Sequence, residues 1–314
     1  MMIPQSTIIG FYIGSAAPLV ILSAVLFLLQ RKHPFRFASV VVGFGTYFIS
    51  AQLLTSLSYT ALSSVPAINN FLTAPENVVL YYFVLSLLTA AFMAPAAYLV
   101  LKLVRKGQWN IYEAIASGVS YLIYNAVNSC MNYINQAKIA ELANTGDTSS
   151  LLSADVTQAD IDAFIQVLQN ASLGQCLAQV LYFITTVLMS IFIFMLAYHV
   201  MKRQKISFVL YGALIHLVVT FGAYFATMAK IWIYVLVVVV IAVLLAAGIY
   251  FYFRWYRQQQ LILLQKRKEY KERKAAEYQA KVAAKEEAAR KAAAAVPSET
   301  APVQKDLEED SLED

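Results

Sequence analysis

Seven runs of apolar residues set the pattern of this chain, each long enough for the roughly 20-residue helix that crosses a bilayer. They cover Ile8–Gln30, Phe37–Tyr59, Asn77–Val104, Asn110–Ile134, Leu173–Val200, Phe208–Met228 and Ile231–Phe253. Tyr, Trp and Lys flank many of the ends, as interfacial anchors do. Pro95 falls inside the third run and predicts a kink there. The expected architecture is all-α: a polytopic membrane protein with seven transmembrane helices.

The fourth run departs from the others. From Tyr112 to Gln136 it carries Asn125, Asn128, Asn132 and Asn135. Steps of three and four residues place these amides in one stripe on a helix, and Tyr121 and Tyr124 extend it. Amides in hydrocarbon are costly unless partnered, so the stripe is expected to face the bundle interior or a wet cavity. The fifth run repeats the spacing with Gln175, Gln179, Tyr182, Thr186 and Ser190, and the sixth with His216, Thr220 and Tyr224. Convergence of the three faces predicts a polar chamber reaching from mid-bilayer toward the outer leaflet. Candidate ligand-binding residues are Asn125, Asn128, Asn132, Gln175, Gln179, Tyr182 and His216.

Composition agrees with the membrane reading. The 314 residues are 60% hydrophobic and 14% charged, against roughly 25% charged in ordinary globular chains. Charge is also segregated, since 13 of the 24 Lys and Arg and 12 of the 19 acids lie after Phe253. The net charge of +5 therefore follows topology and points to no specific nucleic acid. Loops one, three and five hold Arg31, Lys32, Arg36, Lys102, Arg105, Lys106, Lys202, Arg203 and Lys205. The intervening loops hold Lys138 and Lys230, with Glu76, Glu141, Asp147, Asp155, Asp160 and Asp162. By the positive-inside rule the N-terminus is expected outside and the C-terminus in the cytoplasm. The first 30 residues lack a basic start, so no cleavable leader is expected.

Two connections add detail. The external segment 136–170 has a turn at Asn144–Asp147 and a helical apolar face at Ile161, Phe164, Ile165 and Leu168. This predicts a fifth helix that projects past the membrane, or a short helix on the outer surface. Asn170-Ala-Ser172 matches a glycosylation acceptor, a common tripeptide here close to the membrane. After Phe253, residues 254–295 are rich in Ala, Lys, Glu, Arg and Gln, with acid-before-base pairs such as Glu287–Lys291. A continuous helix would run roughly 60 Å into the cytoplasm. It is coiled-coil-like in composition but lacks sustained apolar heptads. Its cluster from Lys266 to Lys274 suits anionic lipid, and residues 296–314 form an acidic tail expected to be disordered.

The chemistry of the chamber is defined by what it lacks. No Asp, Glu, Lys or Arg lies deep in a span, and Glu113 sits near the cytoplasmic end beside Trp109. Cys130 and Cys176 have no zinc-type spacing, so no metal or cofactor is expected; small buried thiols are the simple reading, and a disulfide between them is left open. Hydrolysis within a membrane needs a group that activates water, and His216 is the one central candidate. Polar residues of this kind also serve simply as interhelical glue.

Three short motifs carry a resemblance. In the fourth run stands Gly118-Val-Ser-Tyr121-Leu-Ile-Tyr-Asn125-Ala126, in the fifth Gln175-Cys176, and in the sixth His216 with Thr220. In order and spacing these resemble the motifs of the YhfC-type membrane peptidases, grouped with glutamic-type intramembrane proteases. That family's patterns are Gly-x-Gly-His-Gly-x-x-Glu-Ala, Glu-Arg and His-x-x-x-Asp. The resemblance covers roughly residues 1–253. The glycine, the alanine and one histidine match. Where it implies three acids, this chain has Asn125, Gln175 and Thr220, and where it implies a histidine, Tyr121. An amide keeps the size and hydrogen bonding of a carboxylate but takes no proton.

The expectation is a catalytically silent member in a bacterial cell membrane that binds a membrane-protein or peptide partner through the chamber. The bilayer surrounds it, and its basic tail lies near anionic lipid. An active protease using His216 and a small-solute transporter or transporter subunit are the alternatives.

Overall fold

The computed structural model describes residues 2–104, 109–146, 157–203, 206–227 and 230–294. These are helical nearly throughout and contain no strand. Helix α1 (Gln5–Lys32) is followed by α2 (Phe37–Tyr47), which passes through a π-helical stretch (Phe48–Thr55) into α3 (Ser56–Ser63). Then come α4 (Pro66–Thr73), a 3-10 turn (Pro75–Asn77), α5 (Val78–Leu103), α6 (Ile111–Ser120) and α7 (Ile123–Thr145). The order closes with α8 (Gln158–Asn170), α9 (Leu173–Arg203), α10 (Ser207–Thr227) and α11 (Ile231–Ala294).

Among the described residues six helices are long and apolar enough to cross a membrane. They correspond to all the expected spans except the fourth. That segment is divided between α6, of 10 residues, and α7, of 23, with a turn at Tyr121–Leu122. The first piece is too short to cross alone, and its asparagines leave the second less apolar than its neighbours.

Local sequence explains where several helices start and stop. Asn110 caps α6 by accepting from the Glu113 N–H at 2.8 Å, while Glu113 Oε2 accepts from the Asn110 N–H at 2.9 Å, a reciprocal capping box. Thr157 and Asp160 form the same device at the start of α8. Helix α7 ends at Gly146, whose φ of 78° is left-handed, the conformation glycine adopts without penalty. The turn expected at Asn144–Asp147 therefore begins inside the last turn of α7, and Asp147 lies outside the described residues. Asn144 also ties down the N-terminal segment: its Oδ1 accepts from the Ile3 N–H at 2.7 Å, and its Nδ2 donates to the Ile3 carbonyl at 2.9 Å. Of the two forms expected for the external segment, a separate helix, α8, follows α7.

Close approach of backbones fixes the middle of the bundle. Helix α6 packs between α2 and α9, and α1 packs on α7 and α9. A Cβ at Gly43 would stand 2.0 Å from the Ser117 carbonyl oxygen, and one at Gly118 would stand 2.9 Å from Ile191 Cα. Small residues at such crossings let helices touch through their main chains. Ser117 Oγ donates across the first crossing to the Ser39 carbonyl at 2.9 Å. On α1, Gly10 and Gly14 make the same allowance for Cys176 and Tyr133. Both cysteines are free, Cys176 buried and Cys130 half-buried.

The chain divides into two units, residues 1–250 and 251–314, and α11 runs from the first into the second. From residue 257 on, nearly every described side chain of α11 is exposed, and Lys291 Nζ pairs with Glu287 Oε1 at 2.8 Å. The acidic tail, together with Arg105, Lys106, Asp155 and Lys205, lies outside the described residues.

Candidate functional site

The π-helical stretch after α2 inserts an extra residue into its turns, a local feature that often accompanies functional sites. It places Ser50 against the turn that follows α6: Ser50 Oγ and Tyr121 Oη lie 3.1 Å apart, both buried. Ser50 Oγ also donates to the Thr46 carbonyl at 2.8 Å. Tyr47, at the end of α2, accepts from Gln52 Nε2 at 3.1 Å and packs edge-on against Tyr121 with ring centres 5.3 Å apart. These contacts fix two phenol rings at the break between α6 and α7.

Beside that break lies a cavity of about 400 Å³. Of the residues singled out in the sequence, Tyr121, Asn125, Gln179, Tyr182, Thr186, His216 and Thr220 line it. The lining is completed by side chains from α1, from α2 with its π-helical extension, and from α5. Three polar faces do meet, through one residue of the fourth segment's amide stripe rather than four.

The asparagine stripe is otherwise turned outward. Asn128, Asn132 and Asn135 are exposed, while Ala126, Ala137 and Ala140 on the opposite side of α7 are fully buried. The face that packs is the small one, because it meets Phe11 and Gly14 of α1. Burying an alanine-and-tyrosine face there gives close contact without desolvating three amides, and that outcome sets the rotation of α7. Gln175 is also outside the main cavity. Its Oε1 accepts from the Ser172 N–H at 2.8 Å at the start of α9, and its N–H donates to Ser172 Oγ at 3.2 Å. It lines a second, smaller cavity instead. Ser129 and Tyr133, which the stripe pattern passed over, do line the main one. Their signal was present in the spacing of Ala126, Ser129, Tyr133, Ala137 and Ala140 along one helical face.

His216 is the residue with the most unusual surroundings. It is 3% exposed, and its Nδ1 has no hydrogen-bond partner among the described residues. Thr220, one turn on, donates its hydroxyl to the His216 carbonyl at 2.8 Å rather than to the ring. Among the described residues, no carboxylate, thiol or amine shares the cavity lining with the imidazole. Among the described residues, no three His, Cys, Asp or Glu side chains are grouped so as to hold a metal ion.

The sequence model of one protein family, described as YhfC intramembrane metalloprotease, matches residues 16–244. Neither a curated protein nor a solved structure matches the chain. The family description implies a metal ion, and the donors at this cavity do not fit one: a lone imidazole with amides, phenols and hydroxyls is not the three-ligand set of nitrogen and carboxylate that a catalytic zinc needs. With well over half of its 314 residues inside the match, the chain belongs to the YhfC intramembrane metalloprotease family.

Proposed function

We propose that this member of the family binds rather than cleaves. Its chamber holds an uncharged stretch of a partner membrane protein, and the chain acts as a non-catalytic subunit. The observation that carries this reading is the lining of the 400 Å³ cavity, where no described residue offers His216 an acid to orient it or a second metal ligand. Activation of water at neutral pH calls for a positioned base or a metal, and amides at positions 125 and 179 supply neither. They do supply paired donors and acceptors for a peptide backbone.

The test is direct. A photo-crosslinking amino acid at position 125 captures a membrane-protein segment, and the captured protein keeps its full length. Cleavage of that protein, abolished by His216→Ala, overturns the proposal. The second reading, a protease working through His216, draws on the unpartnered Nδ1, and the same experiment decides between the two.

Membrane placement belongs to the proposal as well. Helices α6 and α7 together make a seventh passage, the N-terminus lies outside, and the basic part of α11 meets anionic lipid or a cytoplasmic protein. Nine loop bases against two support this orientation. Reporter fusions at residues 33 and 230 locate those loops, and an external position for the fusion at 33 overturns the orientation.

A further inference from the structure

The main cavity has a neighbour. A cavity of about 150 Å³ lies where α9 begins, α10 ends and α11 begins, lined by Gln175, Ala178, Thr227, Ile231 and Tyr234. Gln179 lines both spaces. Residues 175 and 179 are one turn apart, and Tyr182 and Thr186 continue the same face into the main cavity. Ala178, beside them, is 3% exposed and packs with Ala226, Tyr234 and Val238, so the two cavities run past a solid apolar wall. The Gln179 side chain makes no hydrogen bond to a described residue and is exposed, which leaves its amide free to turn.

We infer that the smaller cavity is the vestibule of the larger, and that Gln179 is the residue that selects what passes between them, admitting uncharged hydrogen-bonding groups and excluding ions. The inference rests on the binding reading above for its purpose but on separate geometry for its substance. Inward of the vestibule, the amide and hydroxyl groups at 179, 182, 186 and 220 carry no formal charge, and no Asp, Glu, Lys or Arg among the described residues lines either cavity. Such groups exchange hydrogen bonds with an amide or hydroxyl at little cost. An ion meets no counter-charge there, and removing an unpaired ion from water costs several kcal/mol even after relaxation. The inward end of the path is the buried His216, whose unpartnered Nδ1 is the polar atom still lacking a ligand.

Thiol accessibility tests this in the full chain reconstituted in lipid vesicles. In a background with Cys130 and Cys176 replaced by Ala, one cysteine is introduced at a time. Thr227→Cys reports on the vestibule and Ser129→Cys on the main cavity. The probes are three methanethiosulfonates: neutral methyl, cationic trimethylammonium-ethyl and anionic sulfonato-ethyl. All three are expected to modify the vestibule cysteine at comparable rates. The neutral probe is expected to modify the main-cavity cysteine at least about tenfold faster than either ion, a margin well inside the cost of an unpaired buried charge. Gln179→Trp, which fills the junction, should slow modification at 129 by a similar factor and leave 227 unchanged, and the unchanged rate shows that the variant is folded. Gln179→Leu should slow it less.

Equal rates for ions and the neutral probe at 129 overturn the selectivity, and a Gln179→Trp variant without effect overturns the route. Neither result depends on whether the chain cleaves protein. Substrate cleavage with the labelling pattern intact would refute the binding reading alone.

Discussion

Replacing Gly43 by Ala isolates the contact that holds α2 on α6. The new Cβ would fall 2.0 Å from the Ser117 carbonyl oxygen, 2.8 Å from its carbon and 2.9 Å from its Cα. All three are main-chain atoms of a helix, so no side chain can rotate away. Relief to an ordinary contact of about 3.4 Å requires the two helices to part by roughly 1.4 Å, more than packed interiors absorb without loss. Overpacking of this kind costs about 1–3 kcal/mol. The same displacement stretches the buried Ser117 Oγ to Ser39 carbonyl bond, now 2.9 Å, beyond hydrogen-bond range, for about 1 kcal/mol more. Together these predict a loss of about 2–4 kcal/mol, or roughly 3–6 °C in the unfolding midpoint for a chain of this size. Gly45 supplies the control two residues away. A Cβ there meets nothing within 4 Å, so Gly45→Ala should be neutral or stabilising by up to about 1 kcal/mol through helix propensity. Thermal unfolding of both variants in the same detergent, followed by loss of the monodisperse chromatographic peak, gives the comparison. Indistinguishable midpoints for the two alanine variants would show that α2 and α6 are not in main-chain contact.

Three further outcomes follow from particular bonds. Tyr121→Phe should cost no more than about 1 kcal/mol, because Ser50 Oγ keeps the Thr46 carbonyl as a partner at 2.8 Å; thermal unfolding measures it. Ser190→Ala should cost more, about 1–3 kcal/mol, because Ser190 Oγ donates to the buried Gly118 carbonyl and its loss leaves that oxygen underserved. In α8, hydrogen bonds from the Thr157 hydroxyl and N–H hold the Asp160 carboxyl below its usual range. A depressed carboxyl contributes stability that is complete above its unfolded value, about 3.9, and is lost as the pH falls through the lower folded one. Protection of residues 158–170 in hydrogen exchange, corrected for intrinsic rates, should thus be flat through neutral pH and fall below about pH 4. In Asp160→Asn the acid-side fall should disappear.

Helix positions were largely legible in the sequence because a bilayer-spanning segment declares itself by length and composition alone. Phe37–Tyr59 foretold the long apolar helix there, although no residue in Phe48–Thr55 announced π-helical hydrogen bonding. The grouping of Asn125, Gln179, Tyr182 and His216 was also legible, since steps of three and four residues put polar atoms on common faces. What the pattern could not give was the rotation of α7. Asparagine spacing proposed one inward face and alanine spacing another, and the choice depended on Phe11 and Gly14, more than a hundred residues earlier in α1. Gln175 was misplaced for a local reason, since Ser172 engages it in a cap before it can reach the main cavity.

The break at Tyr121–Leu122 lets α7 take a rotation different from that of α6, and its residues border the cavity. On an unbroken helix residues 118 and 125 differ by only about 20° in direction, so both would face α9. Gly118 does face it, with a Cβ position 2.9 Å from the Ser190 carbonyl and from Ile191 Cα, which leaves no room for an asparagine on the same line. At the break the Leu122 N–H turns to the Val119 carbonyl at 3.2 Å instead of reaching back four residues to Gly118. That frees the Gly118 oxygen, and Ser190 provides the donor it would otherwise lack. The helix restarts with Ala126 N–H on the Leu122 carbonyl at 2.9 Å, rotated so that alanines meet α1 and Asn125 borders open space. A hydroxyl on α9 thus compensates for one hydrogen bond missing from the fourth segment, and Tyr121, Leu122 and Asn125 at that discontinuity line the chamber in which His216 stands.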